Sequence, residues 1–156
     1  MLEIIAQEIS AHKLTLCTAE SLTGGLLSGK ITSISGSSQF FLGGLVCYTD
    51  QIKKRILGVS GEALTQFGAV SAEVAQEMSQ KAQVLFSSEI AIATTCIAGP
   101  NGGTKATPIG TVFISLTAQQ KTQVARFLFT GDREAIREQT IKNSLMMLFQ
   151  HLKRSL

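Results

Sequence analysis

The run Leu14-Thr15-Leu16-Cys17-Thr18-Ala19-Glu20-Ser21-Leu22-Thr23-Gly24-Gly25-Leu26-Leu27-Ser28-Gly29-Lys30-Ile31 decides the fold. Its opening residues are apolar and β-branched, which reads as a strand over 13–18. Its closing residues are apolar at helical spacing, which reads as a helix over 23–33. Between them Thr18–Gly25 is rich in hydroxyls and glycine, so a buried strand turns sharply into a helix with Ser21 at the turn. Free N–H groups at the start of such a helix favour an anion or a developing oxyanion. Ser21 is therefore either a helix cap, a common use of serine, or a nucleophile beside an oxyanion site. The stretch is not the G-x-S-x-G elbow of α/β-hydrolases, so residues elsewhere must decide.

Working outward, Leu2, Ile5, Ala6 and Ile9 recur at helical spacing and predict a helix over 2–12. Residues 33–38 form a loop by composition. The unbroken apolar run Phe40–Tyr48 predicts a strand buried on both faces, and its Gly43 and Gly44 permit close approach of another backbone or a ligand. Asp50 is the expected cap of a short helix over 51–57, and a second short helix runs from Gly61 to Phe67. Ser71 opens a longer helix to residue 86, although Val74 stands where a capping box would place Glu. Residues 90–95 read as another buried strand that empties into the turn-rich loop 98–104. Residues 110–116 and 123–129 predict a hairpin, and Asp132 starts a helix ending near residue 153.

Helices interleaved with buried strands indicate a single three-layer α/β/α domain over 1–156, with a mixed, mostly parallel sheet and an antiparallel pair near its end. Ligands in such sheets bind outside the C-terminal ends of strands. Three of these ends are decorated: Ser21–Gly25, Tyr48–Lys53 and Thr95–Gly103.

Composition narrows the classes. A chain of 156 residues with 44% hydrophobic and 16% charged residues has the content of one globular core. A net charge of +3, spread along the chain, does not argue for nucleic acid. Cys17, Cys47 and Cys96 form no C-x-x-C and sit in apolar runs, which reads as reduced thiols in a cytoplasmic protein. No apolar run reaches the ~18 residues of a membrane span, and the N-terminus does not resemble a signal peptide.

The two histidines, His12 and His151, stand apart from every glycine-rich loop, which argues against a Ser-His-Asp triad and a histidine-built metal site. A serine without histidine needs another base, and a lysine of lowered pKa can serve. Lys53, with Lys54 and Arg55 beside it, is either that base or an exposed helical lysine. Tyr48, the one tyrosine, either orients Ser21 or relays a proton, or is an amphipathic tyrosine at the core's edge. Thr95 is a substrate contact or a strand former. The loop Gly99-Pro100-Asn101-Gly102-Gly103 lets backbone amides approach a phosphate or carboxamide closely. Arg133 is a phosphate ligand or a solvated first-turn charge.

In chain order, Thr18–Gly25, Gly43–Tyr48 with Lys53, Gly68–Ser71, Ile97–Gly103, Pro108–Val112 and Gly131–Arg133 with Ile136-Arg137 resemble the CinA C-terminal domain family over residues 2–153. Its enzymatic members are nicotinamide-nucleotide amidases (PncC-type NMN deamidases). The resemblance implies a serine amidohydrolase of pyridine-nucleotide recycling, with Ser21 as nucleophile, Lys53 as general base, and Tyr48 and Thr95 assisting. It implies conversion of NMN to nicotinic acid mononucleotide and ammonia, with no cofactor or metal. The substrate side of the site is expected at Thr23, Gly24, Gly25, Gly44, Gly99, Asn101, Gly102, Gly103 and Arg133. Amides at Thr23–Gly25 are the expected oxyanion donors. Self-association is expected, and membrane or nucleic-acid partners are not. A stand-alone amidase is expected at this length, without the second N-terminal domain of many relatives. Two positions depart from the family pattern: Leu22 replaces a usual cysteine, and Cys96 replaces a usual glycine beside the pocket. Cys96 is the motive for two alternatives, a non-catalytic nucleotide-binding module and an amidase for another small amide.

Overall fold

The computed structural model describes residues 1–155. In chain order the helices are α1 (Leu2–Ala11), α2 (Leu26–Thr32), α3 (Asp50–Ile52), α4 (Gly61–Phe67), α5 (Ala72–Phe86) and α6 (Arg133–Ser155). The strands are β1 (Leu16–Glu20), β2 (Phe41–Val46), β3 (Ile90–Cys96), β4 (Thr111–Ala118) and β5 (Lys121–Leu128). They form one sheet in the order β2-β1-β3-β4-β5. β1 lies parallel to both β2 and β3, with Leu16 beside Ile90 and Glu20 beside Thr94. β4 runs antiparallel to β3 and to β5, so four of the five strands point the same way.

The alternation of side chains along the strands divides the core between the two faces. On one face Leu16, Ile90, Ile92, Val112 and Ile114 pack with Ile5, Ile9, Leu27, Ile136 and Leu148 of α1, α2 and α6. On the other, small residues (Cys17, Ala19, Ala91, Ala93) meet Val74, Met78 and Ala82 of α5. Small side chains on the sheet let α5 lie close against it. Each large apolar side chain removed from water in these clusters contributes about 1.5–3 kcal/mol. The polar atoms under α5 are paired: Ser79 Oγ shares hydrogen bonds with Ser115 Oγ at 2.5 Å and Thr117 Oγ1 at 2.7 Å.

The expected architecture holds, with local differences that have physical causes. The first strand is displaced toward its C-terminus, so Thr18, Ala19 and Glu20 belong to it and Ser21 follows directly. The next helix starts at Leu26 rather than 23, because Gly24 and Gly25 adopt φ of 58° and 97° and hold the chain in a turn. The Phe40–Tyr48 run is not buried on both faces. It yields β2, an edge strand whose Leu42, Gly44 and Val46 are exposed. Thr49, not Asp50, caps the following helix, its Oγ1 accepting from Ile52 N at 3.3 Å. That helix is three residues long and passes into a π-helical turn, Lys53–Leu57. The late hairpin turns through Gln119-Gln120 alone, both at positive φ. Ser71 caps α5 through Val74 N at 3.2 Å, with no carboxylate reciprocating.

Candidate active site

Because β2, β1 and β3 are parallel neighbours, the chain leaves all three at the same edge of the sheet. Ser21 emerges from the middle strand and Tyr48–Lys53 from β2. Cys96–Ala98 follow from β3, and the start of α6 closes the fourth side. Ser21, Leu22, Tyr48, Cys96, Ala98 and Arg133 line a cleft of about 210 Å³ there. A hollow of about 320 Å³ at the opposite end of the sheet is lined mainly by Leu14, Gln83, Glu89, Ile90, Gln119 and His151. It holds neither a serine nor a glycine-rich turn.

Lys53 points inward from the π-helical turn and is 2% exposed. Its Nζ lies 3.1 Å from Ser21 Oγ, 3.5 Å from the Tyr48 carbonyl and 3.9 Å from Asp50 Oδ1. Burial lowers its pKa below the ordinary lysine value, opposed by Cys47 and Asp50. Desolvation is the cause of the lowering, with no contribution from the neighbouring Lys54 and Arg55, and Lys54 lies against Gly61. An ammonium at Lys53 donates to Ser21 Oγ, whereas a neutral amine accepts the hydroxyl proton. Burial shifts the balance toward the second arrangement.

The turn after Ser21 is pinned on every side. Ser21 N donates to Thr94 O at 3.1 Å, and Thr23 Oγ1 meets Thr94 Oγ1 at 3.1 Å. Gly24 N donates to Ser21 O at 3.2 Å, and Gly25 N donates to Glu20 Oε2 at 3.0 Å. The amides of Gly24 and Gly25 are thereby consumed within the protein and cannot serve as the expected oxyanion donors. Among the described residues, the amides of Leu22 and Thr23 have no acceptor.

The remaining candidates separate into those near Ser21 and those with other duties. Arg133 donates to Tyr48 Oη at 2.5 Å and to Gly99 O at 3.0 Å, neutral acceptors both, so its charge faces the cleft without a carboxylate partner among the described residues. Tyr48 therefore directs its hydroxyl to Arg133 rather than to Ser21. Thr95 lies on the α5 face of the sheet with Ala91 and Ala93, the face against which Ile52 and Leu57 on either side of Lys53 also pack. Its hydroxyl donates to Ala69 O at 2.8 Å and so braces the 68–71 loop. A methyl group at Gly44 would collide with Ser28 Oγ and Thr18 Oγ1, so this glycine admits α2 rather than a ligand. Gly99 serves through its carbonyl, whereas Asn101, Gly102 and Gly103 are exposed and do not line the cleft.

Cys96 does line it, and burial pushes its thiol up to about 12, with Arg133 acting in opposition. It stays a neutral thiol beside the serine. Glu20 and Arg137 lie in stretches that carry the family resemblance, but neither they nor Thr94 receive a site role from the sequence. The available signals were an acid inside an apolar strand and a second arginine one helical turn beyond Arg133. No group of three His, Cys, Asp or Glu side chains among the described residues is placed to hold a metal ion. No helix among them is long and apolar enough to cross a membrane.

These features define a three-layer α/β domain with a buried serine–lysine pair at the carboxyl edge of its parallel strands. The chain belongs to the CinA C-terminal domain family, whose model matches residues 1–152. It is 42% identical over 153 residues to a CinA-like protein of Thermotoga neapolitana, covering 98% of this chain and 37% of that protein. A CinA-like protein of Geotalea daltonii is 50% identical over 123 residues, covering 79% of this chain and 30% of that protein. The chain thus spans about a third of the length of the curated relatives it matches. Among solved structures it is similar to a CinA superfamily protein from Klebsiella pneumoniae, with TM-score 0.94, 34% identity and coverage of 98% and 96% of the two chains. A CinA superfamily protein from Escherichia coli superposes with TM-score 0.92 at 35% identity, covering 96% and 87%.

Proposed function

We propose that this chain is a nicotinamide-nucleotide amidase that hydrolyses the carboxamide of NMN to nicotinic acid mononucleotide and ammonia. The observation that carries the proposal is the 3.1 Å approach of buried Lys53 Nζ to Ser21 Oγ, with Arg133 beside them as an anchor for a phosphate. Ser21 Oγ attacks the carboxamide carbon while its proton passes to neutral Lys53 Nζ. The oxyanion is received by the free amides of Leu22 and Thr23. Lys53 returns the proton to the departing nitrogen, the C–N bond breaks, and ammonia leaves an ester on Ser21. Water then attacks that ester as Lys53 takes its proton. The Oγ–carbonyl bond breaks, the proton returns to Ser21, and the acid is released. Arg133 holds the phosphate by charge-assisted hydrogen bonds, with Tyr48 steadying its guanidinium.

A second reading is favoured by the size of the cleft. At about 210 Å³ it lies below the usual ~300–1,000 Å³ of small-molecule pockets, and Cys96 occupies part of the wall. An amide smaller than a nucleotide fits that space. Incubation with NMN and a panel of small amides, following ammonia, separates the two. Release from NMN by wild type and not by Ser21→Ala supports the amidase. Inert NMN with a hydrolysed small amide supports the second reading, and no release from any amide leaves a binding module.

A further inference from the structure

Glu20 is the last residue of β1 and is 0% exposed, yet no lysine or arginine pairs with it among the described residues. Its carboxylate is satisfied almost entirely by the chain just beyond Ser21. Oε2 accepts from Gly25 N and Leu27 N, both at 3.0 Å. Oε1 accepts from Ser28 N at 2.8 Å and Ser28 Oγ at 2.5 Å, with Thr18 Oγ1 at 3.5 Å. Burying a carboxylate costs several kcal/mol unless such donors replace its water.

Arg137 grips the same turn from the opposite side. Its Nε donates to Leu22 O at 3.2 Å and its Nη2 to Thr23 O at 3.3 Å, while Nη1 pairs with Glu134 at 2.8 Å. Glu20 thus gathers amides and Arg137 gathers carbonyls from one short segment. What they leave over are the N–H groups of Leu22 and Thr23, on residues 4% and 0% exposed. Unpaired N–H groups on buried residues are rare.

We infer that Glu20 and Arg137 are positioning residues for the reaction at Ser21. Together they hold the turn so that Ser21 Oγ stays against Lys53 and the amides next to it stay free for the oxyanion. The inference rests on the reading of Ser21 as nucleophile. Glu20→Gln puts an amide nitrogen where an oxygen accepted, so one donor of the turn must rotate away. Arg137→Met frees two carbonyls to reorient, and Arg137→Lys restores one charged donor.

The test uses a readout that needs no NMN. Phenylmethanesulfonyl fluoride transfers its sulfonyl group to an activated serine with loss of fluoride, and the adduct is read by intact mass and peptide mapping. In the folded variants, Glu20→Gln and Arg137→Met are expected to slow labelling of Ser21 about tenfold or more. Arg137→Lys is expected to recover part of the rate. The pH midpoint of labelling stays at the wild-type value, since Lys53 is untouched. With NMN, kcat falls while KM changes by less than about threefold. Wild-type rates in the variants, or a shifted pH midpoint accompanying the loss, would overturn the inference. If Glu20→Gln does not fold, the Arg137 pair decides alone. A wild type that neither labels at Ser21 nor hydrolyses any amide removes the nucleophile reading itself, and the inference with it.

Discussion

Lys53 Nζ stands closer to Ser21 Oγ, at 3.1 Å, than to the Asp50 carboxylate, at 3.9 Å. The lysine is thus seated against a hydroxyl inside the protein, with its carboxylate neighbour at the exposed rim. Its charged form is unfavourable there, and that has consequences for both stability and rate.

In the unfolded chain Lys53 regains the ordinary value of 10.5, whereas burial holds it lower in the fold. Between those two values the unfolded chain binds more protons, so stability rises with pH across that window. Below it, the buried ammonium is a full liability. Lys53→Met is therefore expected to abolish turnover and to melt at a higher temperature at neutral pH. The advantage should shrink as pH rises toward 10.5. Thermal melts at neutral and alkaline pH check this, and a variant less stable at neutral pH would contradict it.

Asp50 raises the pKa of Lys53, against the effect of burial. Asp50→Asn should move the acid limb of kcat/KM to lower pH, by less than about one unit because the carboxylate is largely solvated. A pH–rate profile measures the shift. An unmoved limb would assign it to a group other than Lys53.

The hydroxyl of Tyr48 contacts Arg133 and not the serine. Tyr48→Phe is expected to keep kcat within about threefold while KM for NMN rises, because only the steadying of the guanidinium is lost. Arg133→Ala should raise KM about 10–100-fold, the usual worth of a charge-assisted contact. Steady-state kinetics of both variants would show a proton relay through Tyr48 instead if kcat collapsed in Tyr48→Phe.

A side chain at Gly44 would strike the hydroxyls of Ser28 and Thr18, which bond each other at 2.7 Å and also reach Glu20. Gly44→Ala is expected to destabilise the fold by about 1–3 kcal/mol in urea titrations. KM for NMN in the folded fraction should be unchanged. A selective rise in KM would restore this glycine as a ligand contact.

The strand–turn–helix around Ser21 was legible because a change from apolar β-branched residues to helical spacing is a local signal. So was the convergence of Ser21 and Lys53, since both lie at the ends of apolar runs, where α/β sheets place their ligands. The edge position of β2 was not legible, because Phe41–Val46 carries an interior strand's composition while half its side chains face outward. Gly44 reads from the sequence as a close-approach position, but the sequence does not tell the hydroxyls of Ser28 and Thr18 from a ligand. The role of Glu20 is not legible in the sequence, because its partners lie in the turn and helix that follow, and their geometry depends on two glycines at positive φ. Thr95 reads as a site residue from its place at a strand end, but the sequence does not reveal that its hydroxyl is engaged by Ala69 O of the 68–71 loop.

The most direct test of hydrolysis through Ser21 is rapid acid quenching of the protein during turnover of NMN, followed by intact mass and peptide mapping. The expected result is a mass gain equal to NMN less ammonia, carried on the Ser21 peptide and missing in Ser21→Ala. Continued release of ammonia by Ser21→Ala, with no adduct on Ser21 in the wild type, would contradict it.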